Sequence, residues 1–357
     1  MRRYEAIIVL VCIISLLLCG CSSWLSGEYL WIQPHEGLES GGGNEMVEVA
    51  SYIELRDELK ALVSDGVQEA VISAANLNET SIEFYVSTAV NYILDNTAIG
   101  AYAVNKISYE IGTNRGEPVV AFLVDYKHGA NEIRNMKQVS STAEIFAEIE
   151  NALDKCETYL VLHTMQYESI ELTKFINGYA NANPDKVMEI PYANLVTYPA
   201  QGHERVVEIN LVYLTDQQEL LEMQRQVQTV FTSAELYVKG TDRVIDAYSR
   251  LYSFLMERSD YNLEASITPA YSLLQDATGD SASFANVYAA MCRASGLECS
   301  SVSGMRDGAQ WTWNVVLYKE RYYHIDLLRC SENGEFVLLD GKDMAGYEWD
   351  ITQYPIN

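Results

Sequence analysis

Ser281, His324 and Asp326 are the residues of this chain whose types could combine into acyl-transfer chemistry. Ser281 stands just ahead of Phe284, Val287, Tyr288 and Met291, which recur at helical spacing and place its hydroxyl at a helix N-terminus. A serine hydroxyl is too weakly acidic to ionise there unaided and needs a positioned base. His324 lies two residues before Asp326 in a β-rich stretch, so the two share a strand face at roughly 6.5 Å in Cα spacing. A hydrolase built from Ser281, His324 and Asp326 is one reading. The other is structural: Asp280 or Ser281 caps the helix, and Asp326 accepts a hydrogen bond from Ser281, a backbone amide or the Trp311 indole. Trp311 and Trp313 fall on one face of a strand, where they form a stacking platform or fill a core.

The order of these segments resembles the core of a transglutaminase-like domain of the papain-like cysteine protease superfamily. In that family a nucleophilic Cys opens a helix and is followed by a small residue, an aromatic and Ala; this chain reads Asp280-Ser281-Ala282-Ser283-Phe284-Ala285. Ser281 takes the Cys slot, with Ser283 near enough to compete for it. About thirty residues on, after Val302-Ser303-Gly304, the family has a His-x-Trp-Asn strand, and here Trp311-Thr312-Trp313-Asn314 puts Trp311 in the His slot. Tyr322-Tyr323-His324-Ile325-Asp326 is similar to the strand whose Asp orients the His. The segment Met344 to Trp349 also resembles such proteins, so the likeness covers about the last 130 residues.

The resemblance implies a Cys-His-Asp triad whose positions hold Ser281, Trp311 and Asp326. Trp311 cannot act as base, because its indole nitrogen only donates. Cys292 lies about three helical turns from Ser281 and cannot replace the nucleophile. The expectation is therefore a pseudoenzyme with no catalytic residues, in which Ser281, Trp311, Trp313, Asn314 and Asp326 are candidate ligand contacts. His324 with Ser281 and Asp326 is the fallback for a serine-dependent hydrolase or acyl-transferase.

Two similar stretches precede this region, offset by about ninety residues. Val49-Ala50-Ser51-Tyr52-Ile53-Glu54 recurs as Val139-Ser140-Ser141-Thr142-Ala143-Glu144, and the closing segment from Val124 recurs from Leu211. Each predicts helix, strand, helix, strand, strand. In the first, Leu55, Leu59 and Leu62 stripe a helix, a strand covers residues 69–74, Ile82, Tyr85, Val86 and Ala89 stripe a second helix, and strands at 101–111 and 118–126 flank a turn at 112–116. The second places helices at 143–153 and 170–179 and strands at 158–163, 187–198 and 206–214. His128, His163 and His203 are read as ordinary structural or surface histidines. A helix from Gln217 and another over 242–256 open the last region.

The fold class expected is α+β: two small repeated α+β modules at 46–137 and 138–226, then the transglutaminase-like domain at 227–357. Ahead of them, Arg2-Arg3 and an apolar run from Ala6 to Leu18 form a signal peptide over 1–20. Leu18-Cys19-Gly20-Cys21 resembles a bacterial lipobox, which implies lipidation of Cys21; an uncleaved signal anchor is the alternative. Residues 21–45, with Ser40-Gly41-Gly42-Gly43, read as a flexible tether. The implied protein is exported and held by lipid on the outer face of the cytoplasmic membrane or cell envelope, where a cell-wall peptide, a glycan or an envelope protein is its expected partner. An adaptor acting through the two modules is a further alternative.

A formal charge of −26 argues against nucleic acid and against electrostatic docking on an anionic bilayer. Cys156, Cys292, Cys299 and Cys330 show no metal-ligand spacing, so neither a metal nor another cofactor is expected. Cys292 reads as core filler. Cys299 and Cys330, in neighbouring predicted β segments, are a candidate disulfide.

Overall fold

Ser51 and Glu54 show how the first helix begins. In the computed structural model, which describes residues 46–261 and 269–354, the Ser51 hydroxyl accepts from the Glu54 amide at 3.2 Å while the Glu54 carboxylate accepts from the Ala50 amide at 2.8 Å. This reciprocal cap satisfies amides that the helix leaves unpaired and contributes about 1 kcal/mol. The helix, α1 (Tyr52–Ser64), buries Leu55, Leu59 and Val63. Leu62 is only half-buried, one position off the expected stripe. The expected signal peptide, Cys21 and the tether lie outside the described residues. No helix among the described residues is long and apolar enough to cross a membrane.

β1 (Glu69–Ser73), α2 (Ile82–Asn96), a short α3 (Ala98–Ala103), β2 (Val104–Asn114) and β3 (Glu117–Tyr126) follow. They form an antiparallel sheet in the order β1-β3-β2. The expected turn over 112–116 is shorter than its glycines suggested: only Arg115 and Gly116, with φ of 55° and 92°, leave the ladder. Two residues of positive φ match the twist of a hairpin, so the strands run on to Asn114 and resume at Glu117.

A single helical turn, α4 (Ala130–Arg134), leads to β4 (Lys137–Val139), α5 (Thr142–Asp154), β5 (Tyr159–Thr164), α6 (Leu172–Ala182), β6 (Tyr192–Tyr198) and β7 (Arg205–Val212). Their sheet runs β4-β5-β7-β6. The order β5-β7-β6 corresponds to β1-β3-β2. In each sheet a parallel neighbour lies at the same edge, β4 beside β5 and Glu48 bridged to Ser73. Ser141 and Glu144 make the cap of Ser51 and Glu54 again: the Ser141 hydroxyl accepts from the Glu144 amide at 3.3 Å, and the Glu144 carboxylate accepts from the Ser140 amide at 2.7 Å.

The last region starts with α7 (Gln217–Val238) and α8 (Val244–Met256), then β8 (Asp260–Tyr261), α9 (Pro269–Asp276), β9 (Thr278–Gly279) and α10 (Ser281–Ala294). The strands β10 (Ser300–Arg306), β11 (Ala309–Tyr318), β12 (Arg321–Ile325) and β13 (Tyr347–Glu348) form a sheet in the order β12-β11-β10-β13, with α11 (Leu327–Asn333) leaving the end of β12. Alternation along β11 divides the domain. Asn314 and Val316 face α10, whose Phe284, Val287, Tyr288 and Met291 pack with Phe231, Tyr248 and Leu251. Trp313 and Val315 face a second core with Val302, Leu339, Met344 and Tyr347.

Residues 137–212 pack on this region. Cys156 and Met188 belong to the same core as Leu220 and Val227 of α7, and the Gln224 amide donates to the Asp154 carbonyl at 3.0 Å. All four described cysteines are free thiols. The expected Cys299–Cys330 bridge fails on secondary structure: Cys330 sits in α11 rather than a strand, and its thiol donates toward the Val337 carbonyl at 3.7 Å.

Candidate functional site

α10 begins where Asp280 caps it. The Asp280 carboxylate accepts from the Ser283 amide at 2.8 Å and from the Ser283 hydroxyl at 2.6 Å. Those two bonds separate the competing serines. Ser283 is 1% exposed and spends its hydroxyl on the cap, whereas Ser281, the first residue of the helix, turns its Oγ toward β11 and accepts from the Thr312 amide at 3.2 Å. Ser281 thus occupies the mouth of the helix, and its neighbour across the gap is backbone, which cannot take its proton.

Trp311 stands one residue before Thr312 on β11, opposite Gly304 of β10. Its indole Nε1 donates to Asp326 Oδ2 at 3.0 Å. Ser281, Trp311 and Asp326, distant in sequence, are therefore brought together. Trp311 is half-buried between the Tyr261 ring, at 5.7 Å between centroids, and the Arg306 guanidinium, at 5.0 Å from the indole centroid.

Asp326 is the polar centre of this region. It is 1% exposed, and burying an unpaired carboxylate would cost several kcal/mol. Five donors offset that cost. Oδ1 caps α11 by accepting from the Leu328 and Arg329 amides, both at 3.1 Å. Oδ2 accepts from Trp311, from Arg306 Nη1 at 3.2 Å and from the Tyr347 hydroxyl at 2.6 Å. Burial, and then the bond to Asp326, pushes the Tyr347 hydroxyl up, which keeps it a donor. Arg306 also reaches Glu332 at 2.8 Å.

Arg306 and Tyr347 were not legible as site residues. Arg306 ends β10 and Tyr347 opens β13, and they pair directly across the sheet. Tyr347 lies in the Met344–Trp349 segment already noted as family-like, which was the one available signal; Arg306 had none.

His324 is placed elsewhere. It is 1% exposed, its Nδ1 accepts from the Trp313 indole at 3.0 Å, and its ring packs edge-on against Trp349 at 4.8 Å. β12 ends at Ile325 and Asp326 caps α11. The Trp311 and Trp313 indoles, on one face of β11, bond Asp326 and His324 respectively, so the His324 acceptor nitrogen is paired with Trp313 rather than turned toward Ser281. Burial lowers the His324 imidazole to about 4, so it is neutral near pH 7 with its proton on Nε2.

Trp313 and Asn314 also depart from expectation. Both are 0% exposed. Trp313 stacks edge-on with Tyr347 and Trp349, at 5.2 and 6.1 Å, and Asn314 Nδ2 donates to the Ala285 carbonyl at 2.7 Å, tying β11 to α10. Neither reaches a ligand from solvent; of the predicted set, Ser281 and Trp311 are half-buried. Among the described residues no group of His, Cys, Asp or Glu is arranged to hold a metal.

Residues 232–340 match the Transglutaminase-like superfamily. No curated protein matches the chain. Among solved structures, a TGase is similar at 11% identity and a TM-score of 0.26, covering 61% of this chain and 63% of its own. A candidate cysteine protease from Cytophaga hutchinsonii is similar at 11% identity and a TM-score of 0.27, covering 44% of this chain and 70% of its own. The chain thus spans 63% of the length of that TGase. Residues 232–340 of this chain form a transglutaminase-like domain.

Proposed function

We propose that this chain is a lipid-anchored cell-envelope protein whose transglutaminase-like domain has lost acyl transfer and serves as a scaffold. The observation that carries the proposal is the Trp311–Asp326 hydrogen bond at 3.0 Å. The carboxylate that would orient a catalytic imidazole is taken by a group without a lone pair to accept a proton. Among the described residues the Ser281 Oγ accepts from the Thr312 amide, and His324 holds its acceptor nitrogen against Trp313. The two preceding modules, which we take as copies of one unit from their matching caps and strand orders, extend the scaffold. What remains open at the old cleft is the half-buried Trp311 beside Tyr261 and Arg306, an aromatic and cationic surface suited to a cell-wall peptide or glycan.

A serine-reactive phosphonate probe followed by mass mapping tests the loss of activity. No adduct on Ser281 is expected. Labelling at Ser281 that disappears in Ser281→Ala would overturn the scaffold reading in favour of the serine hydrolase. Metabolic labelling with an alkyne fatty acid tests the anchor: incorporation should be abolished by Cys21→Ala, and incorporation that survives would place the lipid elsewhere.

A further inference from the structure

Cys292 and Cys299 are two buried thiols that the transglutaminase-like site does not use. Cys292 occupies the last turn of α10 and is 0% exposed; Cys299 immediately precedes β10 and is 5% exposed. The chain between them doubles back. Gly296 adopts a φ of 74°, a conformation open to glycine at little cost, and the Leu297 amide donates to the Cys292 carbonyl at 2.8 Å. Tyr248 then fixes the far end, donating its hydroxyl to the Glu298 carbonyl at 2.6 Å, while the Tyr288 hydroxyl donates to the Tyr248 carbonyl at 2.8 Å. Both cysteines therefore turn into the same core, against the same two tyrosines, and their side chains interact with one another. The other two described thiols are directed elsewhere: Cys330 toward the Val337 carbonyl, and Cys156 beside the Gln224 side-chain amide at 3.7 Å.

We propose that Cys292 and Cys299 are a modification site, closing an internal disulfide that locks the α10–β10 connection when the chain meets a small-molecule disulfide oxidant. The two thiols lose their protons and two electrons as the Sγ–Sγ bond forms; the oxidant's own disulfide breaks and takes up both as two thiols. Burial pushes the Cys292 thiol well up, so thiolate is scarce in the folded chain and the bridge closes most readily during folding. Closure removes freedom from the unfolded chain and stabilises the fold.

The test treats the full-length chain with a mixture of oxidised and reduced glutathione in two arms, once folded and once during refolding from reduced denaturant. Free thiols are then alkylated under denaturing conditions, and the chain is digested with trypsin without reduction. Trypsin cuts after Arg293, between the two cysteines, so the bridge appears as a cross-link of two peptides that separates on reduction. The expected result is that cross-link in the refolding arm, with Cys156 and Cys330 alkylated, and a higher Tm for oxidised than reduced chain that vanishes in Cys299→Ala. Alkylation of both Cys292 and Cys299 in both arms, or a cross-link from either to Cys156 or Cys330, overturns the proposal.

Discussion

The indole nitrogen of Trp311 lies 3.0 Å from Asp326 Oδ2, so a ring that only donates holds the carboxylate at the centre of this domain. Arg306 and Tyr347 crowd the same oxygen at 3.2 and 2.6 Å. This buried carboxylate is thus saturated with hydrogen bonds from three side chains and two backbone amides.

Removing one of those donors should be felt in stability. Tyr347→Phe deletes a charge-assisted bond and should cost about 1.5–3 kcal/mol, read by urea denaturation. Asp326→Ala should cost more, about 3–5 kcal/mol, because it strands Arg306 and uncaps α11 together. A Tyr347→Phe protein as stable as its parent would show that the bond carries no net energy.

The scaffold proposal predicts that the site accepts a thiol and an imidazole. Ser281→Cys puts a thiol at the N-terminus of α10, where the helix field favours a thiolate. Adding Trp311→His should place an imidazole between that thiol and Asp326. Alkylation at pH 6 should then be faster in the double variant than in Ser281→Cys alone, by about tenfold or more. Equal rates would mean that Trp311 does not stand where the imidazole belongs.

Stability should fall in mild acid through His324. Its folded imidazole is lowered from 6.5 to about 4 by burial, so between those values the unfolded chain binds the extra proton. Stability is present in full above about pH 6.5 and is lost as pH falls toward 4, by up to about 3 kcal/mol. His324→Gln should flatten that part of the profile relative to the parent. An unchanged slope between pH 6.5 and 5 would assign the acid sensitivity to other groups.

Gly304 should not tolerate a side chain. A Cβ there would run into the Glu348 carbonyl and the Trp313 ring at 2.8 Å. Gly304→Ala should therefore push β13 away, loosen Tyr347 from Asp326 and cost about 1–3 kcal/mol, with a weaker near-ultraviolet tryptophan signal. Retention of both stability and signal would place the β10–β13 contact outside the site's support.

The local elements were legible because they depend on near neighbours: the spacing of Leu55 and Leu59 announces α1, and the period of Phe284, Val287, Tyr288 and Met291 announces α10. The spacing of Ser281, Trp311 and Asp326 likewise carried the family resemblance that residues 232–340 bear out. What each side chain does was decided by tertiary structure. Strand alternation put Trp311 and Trp313 on one face but could not say that Trp313 would be wholly buried against His324. Asp326 draws partners from β10, β11, α11 and β13, and only pairing across the sheet puts Arg306 beside Tyr347. The reason is physical: a helix cap or an apolar stripe is satisfied within a few residues, whereas a buried carboxylate must collect its donors from wherever the fold brings them.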